Sequence, residues 1–259
     1  MERESDGPKV KKVLALDSSG LVASVAIVEG NEFGSSLLAE YTVNYKKTHS
    51  QTLLPMLDEI VKMTELRLED IDAIAVAAGP GSFTGLRIGS ATAKGLGLAL
   101  QKPLVAVPTL DGLAYNLYGT EKVICPLMDA RRNQVYTGIY EFRKGLLERI
   151  EPPAAVDIRE IAERLCALKR DVVFLGDGVP VYRWKLTEIL LAELLQAGKN
   201  HFYAPAHLNK QRAGAIGTLA LQYMREGKVQ TAAEHRPEYL RLSQAERERM
   251  EQASNGPES

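Results

Sequence analysis

The chain has 259 residues, 45% of them hydrophobic and 25% charged, which is the composition of a globular protein with a sizeable core and excludes a disordered one. Lys and Arg number 32 against 33 Asp and Glu, so a net charge of −1 offers no global field that would draw the chain to nucleic acid. Two cysteines, Cys125 and Cys166, exclude a disulfide framework and suit a reducing cytoplasm, and no run of 18 apolar residues or apolar signal core predicts a membrane segment.

In chain order, residues 13–17 (VLALD) and 23–28 (ASVAIV) read as a strand pair around a polar turn, Ser18-Ser19-Gly20. A third strand is expected over 37–45. From Ser50, apolar residues at 53, 56, 57, 60 and 61 follow the helical period, with Pro55 fitting only a late or kinked start. Residues 71–78 (IDAIAVAA) read as a buried parallel strand. The turn Gly79-Pro80-Gly81-Ser82-Phe83-Thr84-Gly85 then opens a helix to about residue 100. A strand over 103–107 follows, and a helix from residue 108.

The pattern restarts with strands over 123–128 and 134–142, separated by the charged turn Asp129-Ala130-Arg131-Arg132. Asp157 with Glu160 resembles a capping box, opening a helix through residue 168. A strand over 171–175 ends at Gly176-Asp177-Gly178, and helices are expected over 186–195 and 209–224. Two sets of strands followed by helices predict an α/β protein in two lobes, 1–110 and 111–245, with the helix over 209–226 able to pack back on the first lobe. A disordered tail is expected over 246–259, where Glu246-Arg247-Glu248-Arg249 precedes a Ser/Asn/Gly/Pro end.

The Gly79–Gly85 turn sits where phosphates meet free helix N–H groups, yet it lacks the Gly-Lys-Ser/Thr of a Walker loop and the Gly-x-Gly-x-x-Gly spacing of a dinucleotide fold. Asp17-Ser18 and Asp177, at two strand ends, could bracket a nucleotide between lobes. Each is also an ordinary turn residue. Gly85, Gly89, Ala93 and Gly97 recur every four residues along one helix, which suits close approach to the chain's own sheet or to a helix across a subunit contact. His49, His201, His207 and His235 form no i, i+3 or i, i+4 pair, so no helical metal site is expected. No Gly-x-Ser-x-Gly elbow is present.

Leu16-Asp17-Ser18-Ser19, His49-Ser50 ahead of Leu54-Pro55, the block from Gly79 to Gly89, Met128-Asp129-Ala130-Arg131-Arg132 with Val135-Tyr136, and Pro237-Glu238-Tyr239-Leu240-Arg241 resemble the bacterial TsaB (YeaZ) family. The resemblance spans about residues 12–245. It implies an actin-like fold of the sugar-kinase/Hsp70-type ATPase class. It also implies a non-catalytic subunit in forming N6-threonylcarbamoyladenosine at position 37 of ANN-decoding tRNAs. Family members dimerise with and activate a catalytic paralogue, TsaD, which carries a metal-binding histidine pair where this chain has His49 alone. The ATPase TsaE joins them, and tRNA is met through the complex.

The resemblance further implies no cofactor of the chain's own, with ATP or ADP bound within the complex; a homodimer is expected when the chain is alone, because the surface that meets the partner could pair with itself. The partner interface is expected at Leu53, Leu57 and Ile60 of one helix and Gly85, Arg87, Gly89, Ala93 and Gly97 of the next. The competing reading is an independent actin-like kinase or ATPase. Asp17 and Asp177 support it, but a second Gly-rich loop is missing.

Overall fold

The computed structural model describes residues 9–45 and 47–240. The first lobe runs β1 (Lys11–Asp17), β2 (Ala23–Asn31), β3 (Gly34–Val43), α1 (His49–Met63), β4 (Ala73–Gly79), α2 (Phe83–Leu100) and β5 (Leu104–Pro108). After α3 (Thr109–Tyr115) come β6 (Val123–Asp129), β7 (Gln134–Arg143), β8 (Leu146–Asp157), α4 (Ile158–Leu168), β9 (Val172–Leu175), α5 (Val179–Gln196), β10 (His201–Tyr203) and α6 (Ala213–Arg225).

Among the described residues the strands form two five-stranded sheets, ordered β3-β2-β1-β4-β5 and β10-β9-β6-β7-β8. Read from the edge, the second sheet is β8-β7-β6-β9-β10, the same order as the first. In each, three antiparallel strands lead and two parallel crossover strands follow. This doubled sheet with helices on its faces is the actin-like architecture. β1 and β4 are covered on both faces, which is why their sequences are unbroken apolar runs.

Several elements differ from the sequence reading for local reasons. β3 begins three residues early because the hairpin register continues to Asn31↔Gly34. β8 is unanticipated: its Pro152 and Pro153 argue against a strand, but it is an edge strand, where a missing N–H breaks no inner ladder. β10 has three residues, too few to show a period. α1 starts at His49, so Pro55 lies inside it, and the carbonyl left without a helical partner belongs to the exposed Gln51. Asp157 caps α4 by accepting the Arg159 N–H at 2.8 Å, while Glu160 pairs with Arg164 and does not close the box. α5 begins seven residues early, with Pro180 in its first turn, where no helical N–H is needed.

One face of the first sheet packs α1 and α2 through Leu53, Leu57, Ile60 and Ala93 against Leu14, Leu16, Ile74 and Val76. The other face packs α6: Ala213, Ile216, Leu219 and Ala220 meet Val13, Ala15, Val28 and Val105. Gly217 permits this approach, since a Cβ there would stand 2.6 Å from Val28 Cγ2. In the second lobe α4 and α5 cover one face and α3 the other. Gln230 exchanges hydrogen bonds with Leu104 at 2.9 and 2.8 Å, so residues 229–240 run back across the first lobe. The expected tail at 246–259 lies outside the described residues.

A buried hub joins the lobes. Asp111 of α3 accepts the Tyr140 hydroxyl at 3.0 Å, the Tyr223 hydroxyl at 2.9 Å and the Arg149 guanidinium at 3.1 and 2.5 Å. Tyr140 and Arg149 belong to the second sheet, whereas Tyr223 rides on α6 against the first.

The eight residues expected at a partner contact need correction. Leu53, Leu57, Ile60, Gly85, Gly89, Ala93 and Gly97 are buried within the chain, and Arg87 alone is exposed. A Cβ on Gly89 would lie 2.4 Å from Ser18 Oγ, and one on Gly97 2.4 Å from Leu104 Cδ1. Of the two packing partners open to the small-residue stripe, the chain's own sheet and turn take it.

Candidate functional site

The equivalent ends of the two sheets face each other across the lobes. Asp17 closes β1 and Asp129 closes β6; the turns after β4 and β9 both start on a positive-φ glycine, Gly79 at 121° and Gly176 at 106°. Only glycine adopts such angles without strain. Asp17 is buried, and its Oδ1 accepts the Ser19 N–H at 2.9 Å and the Ser19 hydroxyl at 2.6 Å. Burial pushes its carboxyl up to about 6, Ser19 and His49 pull the other way, and the charge of Asp177 adds to the rise. The structure therefore brings the two acidic turns within electrostatic reach. Burial also raises Asp177, which accepts the Asp129 N–H at 3.2 Å and feels the opposite charge of Lys210.

Ser18 is engaged elsewhere. Its hydroxyl donates to the Gly85 carbonyl at 2.9 Å, and its own carbonyl lies where a Gly85 Cβ would be. The whole Gly79–Gly85 turn is filled by the chain itself. Ser82 N–H donates to Ser19 O at 2.7 Å, and Ser82 Oγ accepts the Gly85 N–H at 3.3 Å. Glu238 N–H donates to Ala78 O at 2.7 Å, and its carbonyl occupies the Cβ position of Gly79. Tyr239 then stacks 5.0 Å from Phe83, whose other neighbour is the Arg87 guanidinium at 4.4 Å. The glycines of this turn thus serve backbone-to-backbone packing, with residues 18–19 and 238 against the turn itself and Tyr239 against Phe83 at the start of α2.

Three further polar groups gather beside these turns, of which the sequence singles out His49 but not Gln211 or Lys210. His49 donates through Nε2 to Gly20 O at 2.8 Å, leaving Nδ1 buried without a partner. Gln211 is 1% exposed with both amide atoms unpaired, and its side chain fills the space beside Gly20. Lys210 comes with it from the bend that precedes α6, which starts at Ala213 and not at 209 as the sequence reading expects. Nothing in residues 209–212 marks them as site-forming, because only the path of the chain between lobes carries them there. Among the described residues no three of His, Cys, Asp and Glu gather in a metal-holding group.

Comparison with known proteins agrees with this architecture. Residues 36–249 match the family model described as TsaD: tRNA N6-adenosine threonylcarbamoyltransferase. The tRNA threonylcarbamoyladenosine biosynthesis protein TsaB of Bacillus subtilis (strain 168) is 33% identical over 237 residues, 90% of this chain and 96% of the relative. The protein of the same name from Escherichia coli (strain K12) is 30% identical over 237 residues, 89% and 94% of the two chains. Among solved structures, YeaZ from Pseudomonas aeruginosa superposes with a TM-score of 0.69 at 28% identity, covering 89% of this chain and all of that one. The nearly complete overlap with proteins of that name, on the same two-lobed frame, makes the chain a member of the TsaB (YeaZ) family of tRNA threonylcarbamoyladenosine biosynthesis proteins.

Proposed function

We propose that the chain is the non-catalytic subunit that dimerises with and activates a TsaD-type transferase in threonylcarbamoylation of adenosine 37 in ANN-decoding tRNAs. The observation that carries this reading is the filled glycine turn: an actin-like frame whose glycine-rich turn packs against its own backbone is suited to scaffolding more than to nucleotide chemistry. ATP or ADP then binds within the assembly and not in this chain, and a TsaE-like ATPase joins the pair. Transfer RNA is met mainly through the complex.

The partner surface in this proposal is the outward face of α1 and α2, the helices whose inward faces build the core. Leu54 and Leu98 there are 57% and 68% exposed, Arg87 is exposed, and a Cβ on Gly95 would meet nothing. Two such helices can pair with their counterparts on a paralogue about a pseudo-two-fold axis, or with a second copy when the paralogue is missing. Among the described residues no helix is long and apolar enough to cross a membrane, and the pair in this proposal works in the cytoplasm, where tRNA is modified.

The test is co-purification with the organism's TsaD-like protein, followed by tRNA modification assayed with and without this chain. Leu98→Glu is expected to abolish co-purification and modification while the chain stays folded and its homodimer dissociates. Unchanged assembly by Leu98→Glu refutes the surface, and full modification without the chain refutes the role. The independent-enzyme alternative rests on the mutual reach of Asp17 and Asp177. Steady ATP turnover by the purified chain, lost in Asp17→Ala, would establish it instead.

A further inference from the structure

Beside the interlobe turns, and sharing Asp129 with them, the β6–β7 turn and the first turns of α5 enclose an open pocket of about 410 Å³. Arg131, Arg132 and Lys185 line it, together with Trp184, Tyr182 and Asp129. The turn is held in an uncommon conformation: Arg131, Arg132 and Asn133 have φ of 63°, 55° and 62°, three successive left-handed residues without a glycine. It is tied down all the same. Arg131 N–H donates to Asp129 Oδ1 at 2.8 Å, Ile158 N–H to Asn133 O at 3.1 Å, and Lys185 Nζ to Asn133 Oδ1 at 3.1 Å.

The cations of this pocket are available. Among the described residues Arg143, Arg149, Arg164, Arg170 and Arg212 all bridge carboxylates, whereas Arg131 and Arg132 form no ion pair. The one carboxylate in the pocket, Asp129, already accepts the Arg131 N–H and, at 3.1 Å, the Tyr182 hydroxyl. Trp184 is the sole tryptophan of the chain and is 63% exposed, with the Lys185 ammonium 5.6 Å from its ring. An exposed indole beside guanidinium groups that form no ion pair is the chemistry that holds single-stranded nucleic acid, the ring stacking a base and the cations meeting its phosphates.

We infer that this pocket is a contact site for single-stranded RNA, with one base on Trp184 and neighbouring phosphates on Arg131, Arg132 and Lys185. The choice of RNA over other polyanions rests on the proposed role in tRNA modification. The chain's net charge of −1 limits such a contact to a local one, weak alone and useful once a partner supplies further phosphate contacts.

Trp184 is itself the probe. Its fluorescence in the full chain is followed while a ~10-nucleotide single-stranded RNA is added at several salt concentrations starting from ~50 mM. Saturable quenching is expected, with log K falling against log salt at a slope of about −2 for three phosphates, and about −0.7 in Arg131→Ala/Arg132→Ala. Trp184→Ala, followed by anisotropy of labelled RNA, should bind roughly 5- to 150-fold more weakly. No quenching, or the same affinity and slope in the double arginine variant, overturns the proposal. Equal quenching by an oligoglutamate of the same charge overturns the RNA assignment and points to an acidic protein segment. With the TsaD-like protein present, the arginine variant should co-purify normally but raise KM for tRNA at unchanged kcat. Loss of the subunit role would show differently, as tRNA modified fully without this chain while oligomer binding persists.

Discussion

Two glycines of α2, six residues apart, should respond in opposite ways to the same substitution. In a helix interior, replacing Gly by Ala stabilises by about 1 kcal/mol when nothing opposes it. At Gly95 nothing does, because the new methyl enters open space. At Gly89 the methyl would stand 2.4 Å from Ser18 Oγ, so the hydroxyl must leave its 2.9 Å hydrogen bond to Gly85 O in a buried setting. An unmatched buried polar group costs about 1–3 kcal/mol, which outweighs the helix gain. The two variants should therefore differ by about 2 kcal/mol, or ~4–8 °C in Tm for a chain of this size, with Gly95→Ala above the parent and Gly89→Ala at or below it. Thermal unfolding followed by circular dichroism reads this directly. Equal shifts of the same sign in both variants would refute the orientation of α2, and with it the burial of the small-residue stripe. Gly95→Ala carries a second expectation: gaining stability in isolation, it should weaken the paralogue complex if the outward face is the contact.

Asp17 makes stability depend on pH in a defined direction. Its folded pKa of about 6 lies above the 3.8 of an ordinary Asp, so the protonated form is the one the fold favours, and its contribution is complete below about pH 4 and lost as pH rises through 6. The shift corresponds to about 3 kcal/mol, so urea midpoints of the parent should fall between pH 4 and 7 relative to Asp17→Asn, and parallel profiles would contradict this. Asp111→Ala should destabilise by about 1–3 kcal/mol, because the Tyr140 and Tyr223 hydroxyls lose their shared acceptor. A urea midpoint within error of the parent would show that the hub contributes nothing to joining the lobes.

The strands that make the centre of each sheet are legible from residue type alone, since burial on both faces demands runs such as those of β1 and β4. Edge strands are less so: β8 hides behind two prolines and charged residues that its solvent side tolerates. The glycines at 79, 81, 85 and 89 are legible as places of close approach, but not what approaches them. Gly79 meets Glu238 and Gly81 meets Ser19, contacts whose partners lie far apart in the chain or around a turn. Apolar period likewise marks Leu53, Leu57 and Ile60 as one face of a helix without saying whether a sheet or a subunit covers it. The outward residues that remain, Leu54 and Leu98, look unremarkable in sequence because single exposed apolar residues are common.

The return of α6 and residues 229–240 to the first sheet has a consequence for synthesis. The first lobe is discontinuous in the chain, made of its beginning and its end, with the second sheet inserted between them. A ribosome that has released residues 9–108 has produced a sheet with α1 and α2 on one face and nothing on the other, leaving Val13, Ala15, Ala26, Val28, Ala75 and Val105 bare until Ala213–Arg225 emerges. The inserted lobe meets no such delay, because its strands and helices α3 to α5 are contiguous. Nascent chains should therefore complete the second lobe first, although it is made later, and the first sheet waits for the final turns of the polypeptide.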